Sequence, residues 1–341
     1  MNNDDDSKPT MTPAELLAEI RKTDPGYTPK VIPIKNIDPH YLKPIPFDEF
    51  MGMDFPPLEY VLYPCLPVQG LCFIYAASGI GKTLFTLNMA YAIAGGGNFL
   101  KYSVPKPRKV LYIDAEMQAN QLHERLQEIE KNHGQLYDPK NLNILTPDKI
   151  LPFRLPKIND KDGQETYDLL FDFHKYEVIV LDNLSMLATI DENKSHEWLI
   201  IQDWLLSLRA KGKTVIIIHH AGKDKNGYRG TSRMLDCVDT AISLQPIIED
   251  DLEENKGQAK KFKVVYEKSR LFGGADILPF EVTLENKIWR HRSAEEALLE
   301  QILKCLDSGM SQREIAKELF LNQTKVFRLI KTLRINGRIS K

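Results

Sequence analysis

The stretch GLCFIYAASGIGKTLFTLNMAYAIA, residues 70–94, decides how this chain is read. Its first seven residues form a short, dense apolar run of the kind that becomes a buried strand, and TLFTLNMAYAIA (83–94) reads as an apolar helix. The turn between them matches the P-loop spacing with Ala76 in place of the usual first glycine, followed by Gly81, Lys82 and Thr83. Each residue type has a physical task. Gly79 and Gly81 let successive N–H groups turn inward around a β-phosphate, Lys82 neutralises the β and γ oxygens, and Thr83 ligates Mg²⁺ at the positive end of the helix. The expected nucleotide cradle is therefore Ala77, Ser78, Gly79, Ile80, Gly81, Lys82, Thr83 and Leu84, with ATP and Mg²⁺ as cofactors. Ala76 fits its position if its φ stays negative.

Outward from this motif, apolar runs alternate with helical patterns from about residue 58 to 292. KVLYIDAE (109–116), NLNIL (141–145), YEVIVLDN (176–183) and KTVIIIHH (213–220) join 70–76 as strands expected to be buried on both faces. NQLHERLQEIEKN (120–132) and EWLIIQDWLLSLRA (197–210) read as helices between them, so a mostly parallel sheet covered by helices follows. AISLQPI, KFKVVYEKSR and LPFEVTLENKIWR are three further β-like runs, with the acidic EDDLEEN (249–255) as a solvated hairpin loop. Residues 1–50 read as a tail with one short docking helix at PAELLAEIRK (13–22), 51–292 as the main domain, and 293–341 as a small second one.

Strand ends carry the remaining chemistry. Asp182 closes an apolar strand where a carboxylate can hold the magnesium through water. Glu116, at the carboxyl end of the second strand, is placed to orient and deprotonate a water attacking the γ-phosphate. Asp114 competes for that role and otherwise serves as a structural acid. His219 and His220 reach the same edge facing opposite ways, and His220, nearer the edge, is the expected γ-phosphate sensor.

An early P-loop, Glu116, a strand-borne Asp182, then HHAGK and RGTSRMLDCVD (229–239), together resemble RecA-like ATPases of the replicative-helicase type. The combination is similar to the RepA-like hexameric helicases of plasmids and their AAA-type relatives in phages and mobile elements, over roughly residues 46–290 and including the lead-in FDEFMGMDFPPLEYVLYPCLPVQG. The resemblance implies a RecA-like core, Glu116 as catalytic glutamate, His220 as sensor and Arg125 beside the phosphates. EKSRLFGG (267–274) resembles the KxR element of ring helicases, which implies that Lys268 and Arg270 act as fingers reaching a neighbouring subunit's nucleotide. It also implies a homo-oligomeric ring, a hexamer, with single-stranded DNA touched by AGKDKNGY through Lys223, Lys225 and Tyr228.

The C-terminal segment MSQREIAKELFLNQTKVFRLIKTLRINGRISK has a helix-turn-helix pattern. Ser311 and Glu314 suit a capping box, Ile315 and Leu319 line a first helix, Val326, Leu329, Ile330 and Leu333 a second, and Gly337 closes it. Lys325, Arg328, Lys331, Arg334, Arg338 and Lys341 meet no acidic residue from Leu319 onward, a local positive field in a chain whose net charge is −2. An all-α or winged DNA-binding module is expected, with Gln323, Thr324, Lys325 and Arg328 contacting duplex. A helical module for protein contacts is the alternative.

Four scattered cysteines without a CxxC pair, and the lack of an apolar run of membrane-spanning length, point to a reducing cytoplasm and no membrane insertion. Three functional readings follow: an ATP-driven DNA helicase or translocase, a DNA-binding regulatory or helicase-loading ATPase that does not unwind, or a nucleotide-gated scaffold.

Overall fold

The computed structural model describes residues 12–27, 43–136, 138–189, 195–221, 232–247, 260–285, 287–319 and 321–339. Its helices are α1 (Pro13–Thr23), α2 (Phe47–Met51), α3 (Lys82–Gly95), α4 (Ala119–His133), α5 (Lys161–Phe173), α6 (Leu184–Leu187), α7 (Ser195–Ala210), α8 (Ala294–Asp307), α9 (Gln312–Glu318) and α10 (Gln323–Ile335). The strands are β1 (Tyr60–Leu62), β2 (Leu66–Pro67), β3 (Leu71–Ala76), β4 (Gly97–Phe99), β5 (Tyr102–Val104), β6 (Val110–Asp114), β7 (Leu142–Leu145), β8 (Val178–Asp182), β9 (Thr214–His220), β10 (Thr240–Pro246), β11 (Lys260–Ser269), β12 (Phe280–Glu285) and β13 (Ile288–Ser293).

A nine-stranded sheet in the order β13-β12-β11-β10-β3-β9-β8-β6-β7 organises the molecule. From β10 to β7 every neighbouring pair is parallel, while β11, β12 and β13 extend the sheet antiparallel. The α/β architecture, a mostly parallel sheet flanked by helices, is the one expected for a RecA-like core. One strand, β9, separates the P-loop strand β3 from the Asp182 strand β8.

Alternation along β3 sorts its residues onto two cores. Cys72, Ile74 and Ala76 pack with Phe85 and Ile93 of α3 and Leu122 and Ile129 of α4 on one face. Leu71, Phe73 and Tyr75 pack with Tyr167 and Phe171 of α5 and Trp198, Ile201, Leu205 and Leu208 of α7 on the other. Burial on both faces explains why these strands read as continuous apolar runs rather than alternating ones. Three of the cysteines, Cys65, Cys72 and Cys237, are buried thiols, and burial pushes Cys65 up to about 12 and Cys237 up to about 11.

Two features depart from the sequence reading. LPFEVTLENKIWR, read as one β-like run, is the hairpin β12–β13, paired from Phe280↔Ser293 to Glu285↔Ile288, with Lys287 at φ +66° before the second strand. Helix α5, absent from the helical stretches read above, starts where Asp160 accepts the Gly163 N–H at 3.0 Å. The loop EDDLEEN lies outside the described residues.

At the N-terminus, Thr12 and Glu15 form a capping box for α1, whose Ile20 is buried. Tyr27 then sets its ring edge-on to Phe173 of α5 at 5.3 Å. At the other end α8, α9 and α10 form a three-helix unit with its own core of Leu299, Ile302, Ile315, Ala316, Val326, Leu329, Ile330 and Leu333. Ser293 caps α8 and Ser311 caps α9, each reciprocated by a glutamate at the third helical position, and Asn322 caps α10. Gly337 follows α10 with φ +68°. Among the described residues no helix is long and apolar enough to cross a membrane.

Candidate nucleotide site

Register brings the site together. Ala76 on β3 stands opposite His220 on β9, and Asp182 on β8 stands opposite Asp114 on β6 and Ile218 on β9. Four strands therefore end at one edge, and a cavity of about 390 Å³ opens there. Ser78, Gly79, Gly81, Lys82, Thr83, Glu116, Arg125, Asp182 and His220 line it, together with Met117, Gln118 and Gln121.

The loop after β3 has the backbone a phosphate cradle needs. Gly79 and Gly81 have φ of +85° and +112°, values that L side chains rarely adopt, and Gly81 caps α3. Ala76 is not among the residues of positive φ, so its departure from glycine costs nothing. Of the expected cradle, Ala77, Ile80 and Leu84 do not line the cavity; Ile80 and Leu84 turn their side chains onto the core.

Lys82 is only 7% exposed, and its Nζ donates to the Ala76 carbonyl at 3.1 Å. Burial lowers its ordinary affinity for a proton, against the pull of Asp182 and Glu116. Asp182 is 3% exposed and accepts from the Tyr112 hydroxyl at 2.6 Å, and Thr83 hydrogen-bonds it as well. Burial raises its carboxyl to about 6. A buried carboxylate beside a threonine hydroxyl is a hard-oxygen pair suited to Mg²⁺, and the glycine cradle and buried lysine suit a nucleotide phosphate, so the residues fit both groups.

The two acids at the end of β6 have separate surroundings. Asp114 is buried, and its Oδ1 accepts the N–H groups of Glu116 at 2.9 Å and Met117 at 2.7 Å, so it shapes the turn. Glu116 is exposed on the cavity wall and accepts from Asn183 Nδ2. The histidines divide likewise. His219 is buried beside Phe73, with Nδ1 3.3 Å from Ser185 Oγ, whereas His220 faces the cavity. Its Nδ1 lies 3.1 Å from Lys82 Nζ and its Nε2 3.3 Å from Asn183 Nδ2.

Lys268 and Arg270 lie elsewhere. Ser269 pairs with Thr240, and Asp239 exchanges hydrogen bonds with Leu71, so this end of β11 belongs to the amino-terminal edge of β3. That edge is a strand's length, on the order of 15 Å, from the P-loop. There Lys268 donates to the Leu235 and Asp236 carbonyls, and Arg270 bonds the Asp236 carbonyl and pairs with Asp239, which also pairs with Arg209. Neither reaches the phosphate cavity of its own chain. Lys223, Lys225, Tyr228 and Arg229 lie outside the described residues.

In the C-terminal unit, Gln323, Thr324, Lys325 and Arg328 are exposed on the first turns of α10. A cavity of about 590 Å³ between α9 and α10 is lined by Ser311, Gln312, Arg313, Gln323, Thr324 and Phe327, whose ring is 55% exposed. Sequence reasoning passed over Arg313, Phe327, Tyr112 and Asn183. Asn183 carried a local signal, since an Asn between an apolar strand and a short helix is a typical N-cap, but nothing local connected it to Glu116.

A family model described as an AAA domain matches residues 38–226, more than half of the chain. Among solved structures, the flagellar accessory protein FlaH from Methanocaldococcus jannaschii is similar at 13% identity and a TM-score of 0.47, covering 67% of this chain and 91% of its own.

Proposed function

Since the chain belongs to the AAA domain family, we propose that it is an ATP-driven DNA helicase or translocase of the RepA-like type, serving replication or maintenance of a plasmid, phage or other mobile element. Family and fold make it a nucleotide-hydrolysing ATPase. The observation that supports the finer reading is the separation of Lys268 and Arg270 from their own cavity, at the opposite edge of the sheet. A charged pair so placed does not serve its own nucleotide; a ring, a hexamer by resemblance, with sites between subunits would bring it to a neighbour's once it exchanges its contacts with Leu235, Asp236 and Asp239.

In such a site the loop amides from Ser78 to Gly81 and Lys82 hold the phosphates, and Thr83 and Asp182 hold the metal. Held by Thr83 and Asp182, Mg²⁺ would supply charge neutralisation at the γ-phosphoryl oxygens. Glu116 orients the attacking water and takes its proton, Arg125 lies by the phosphates, and His220 senses the γ-phosphate. Single-stranded DNA would pass the loop bearing Lys223 and Lys225, while the three-helix unit acts as a helix-turn-helix holding duplex through Gln323, Thr324, Lys325 and Arg328.

The second reading is a DNA-binding regulatory or helicase-loading ATPase without unwinding. It is favoured by the exposed cleft of Arg313, Gln323, Thr324 and Phe327, a surface suited to site recognition that unwinding does not require. A forked-substrate assay with wild type and Lys82→Ala separates the two. Strand separation by wild type alone supports the helicase; DNA-stimulated hydrolysis with no separation leaves the loader.

A further inference from the structure

Phe327 is out of keeping with its surroundings. Along α10, Val326, Leu329, Ile330 and Leu333 fill the core of the three-helix unit, while Thr324, Phe327, Arg328 and Lys331 turn outward. The ring is 55% exposed and takes no part in that core, so the unit does not need it to fold. Covering it with a partner would be favourable, and its neighbours indicate which partner. Helix α10 carries Lys325, Arg328, Lys331 and Arg334 and no acidic residue. Arg313 stands on the α9 side of the cleft, where the adjacent Glu314 is engaged by the Ser311 N–H at 2.7 Å. A surface of this charge suits a polyanion better than an apolar protein face.

The other walls of the cleft narrow the ligand further. Gln323 and Thr324, exposed on the first turn of α10, share it with Phe327. In the major groove a glutamine amide matches the N7 and N6 edge of adenine, and an apolar side chain meets the C5-methyl group of thymine. Gln323 and Phe327 are one helical turn apart, about 6 Å along the axis, which is close to two base-pair steps of a duplex.

We propose that Phe327 is a specificity-determining residue that reads thymine methyl groups in duplex DNA, beside an adenine read by Gln323, an inference that rests on the duplex-binding reading of the three-helix unit above. Basic residues around the ring hold the phosphates of any sequence, and the ring adds a preference for A·T pairs that charge cannot supply.

The test uses the full chain. Wild type first selects from a library of duplexes randomised in sequence, and the enriched sequences should share an adenine and a thymine within about two base pairs of each other. The enriched duplex is then made with deoxyuridine at every thymine, which deletes the methyl groups and keeps every hydrogen-bonding group. Wild-type affinity should fall on the order of fourfold for each contacted methyl. Phe327→Ala should bind both duplexes equally, and Phe327→Leu should keep part of the discrimination; melting curves of both variants check that the fold is retained. Equal wild-type affinity for the two duplexes, a loss that Phe327→Ala shares in full, or binding without enrichment of any sequence would overturn the proposal and leave the ring to a protein partner. If wild type bound no duplex, the DNA-binding reading itself would fail, a result distinct from these.

Discussion

Asp182→Asn should make the metal-free protein more stable while destroying its use of magnesium. The carboxyl is 3% exposed and burial raises it from its ordinary value of 3.8 to about 6. At about 1.4 kcal/mol per unit, keeping it ionised at pH 7.5 costs the fold roughly 3 kcal/mol. The sign follows from its protons: the folded state holds a proton up to about pH 6 that the unfolded state releases near 4, so stability falls as pH rises through that window. Asparagine keeps the shape and still accepts from Tyr112, but carries no charge. In chelator without nucleotide, the variant should melt several degrees above wild type at pH 7.5, at about 2–4 °C per kcal/mol for a domain of this size. The gap should narrow as pH falls below about 6 and close near 4, where Asp182 is protonated in the unfolded chain as well as in the fold. Added Mg²⁺ and ATP should raise the wild-type midpoint, by about 2.7 kcal/mol at a hundredfold excess over Kd, and leave the variant nearly unmoved. Thermal melts across pH read all three effects. A variant melting at or below wild type at pH 7.5, or a gap that ignores pH, would refute the charge argument.

Other outcomes follow from the same geometry. Glu116→Gln should bind ATP normally and lose turnover on the order of a hundredfold or more in a steady-state phosphate-release assay; undiminished turnover would assign the water to another group. Arg270→Ala should depress turnover without weakening nucleotide binding, and mixing it with Glu116→Gln subunits should restore part of the activity, because a mixed interface can pair an intact finger with an intact base. Mixtures no more active than either parent would argue against a finger acting between subunits. Arg328→Ala should weaken duplex binding and lower the slope of log K against log salt by about one; an unaltered slope would place this exposed arginine off the phosphates.

Parts of this architecture are legible locally. Residues 70–83 encode strand, glycine turn and helix in a single contiguous run, because backbone freedom at Gly79 and Gly81 and the apolar runs on either side act over a few residues. β3, β6, β8 and β9 are equally visible, since burial on both faces keeps them apolar nearly throughout, whereas β7, at the sheet edge, is only half-buried and admits Asn143. The amphipathic stripe of α10, with Val326, Leu329, Ile330 and Leu333 buried, and the capping box of Ser311 and Glu314 are read in the same way. The hairpin at β12–β13 was hidden inside one apolar-polar run, because its turn is too short to interrupt the pattern.

The phosphate loop, the strands and the kinds of side chain at their ends are written locally, for these depend on short-range backbone and burial preferences. Which of those side chains meet depends on how the strands are ordered and aligned in the folded chain. Asp114 and Glu116 are two residues apart, yet the first is buried beneath a turn and the second lies on the cavity wall. Glu116 and Asn183 are 67 residues apart in sequence and share a hydrogen bond. Lys268 and Arg270, which spacing alone would allow near any strand end, stand at the edge away from Lys82, because antiparallel pairing of β11 with β10 reverses the direction in which the chain runs. Such relations are set by strand order and register, which pair residues remote in sequence and leave no mark on the local composition of either partner.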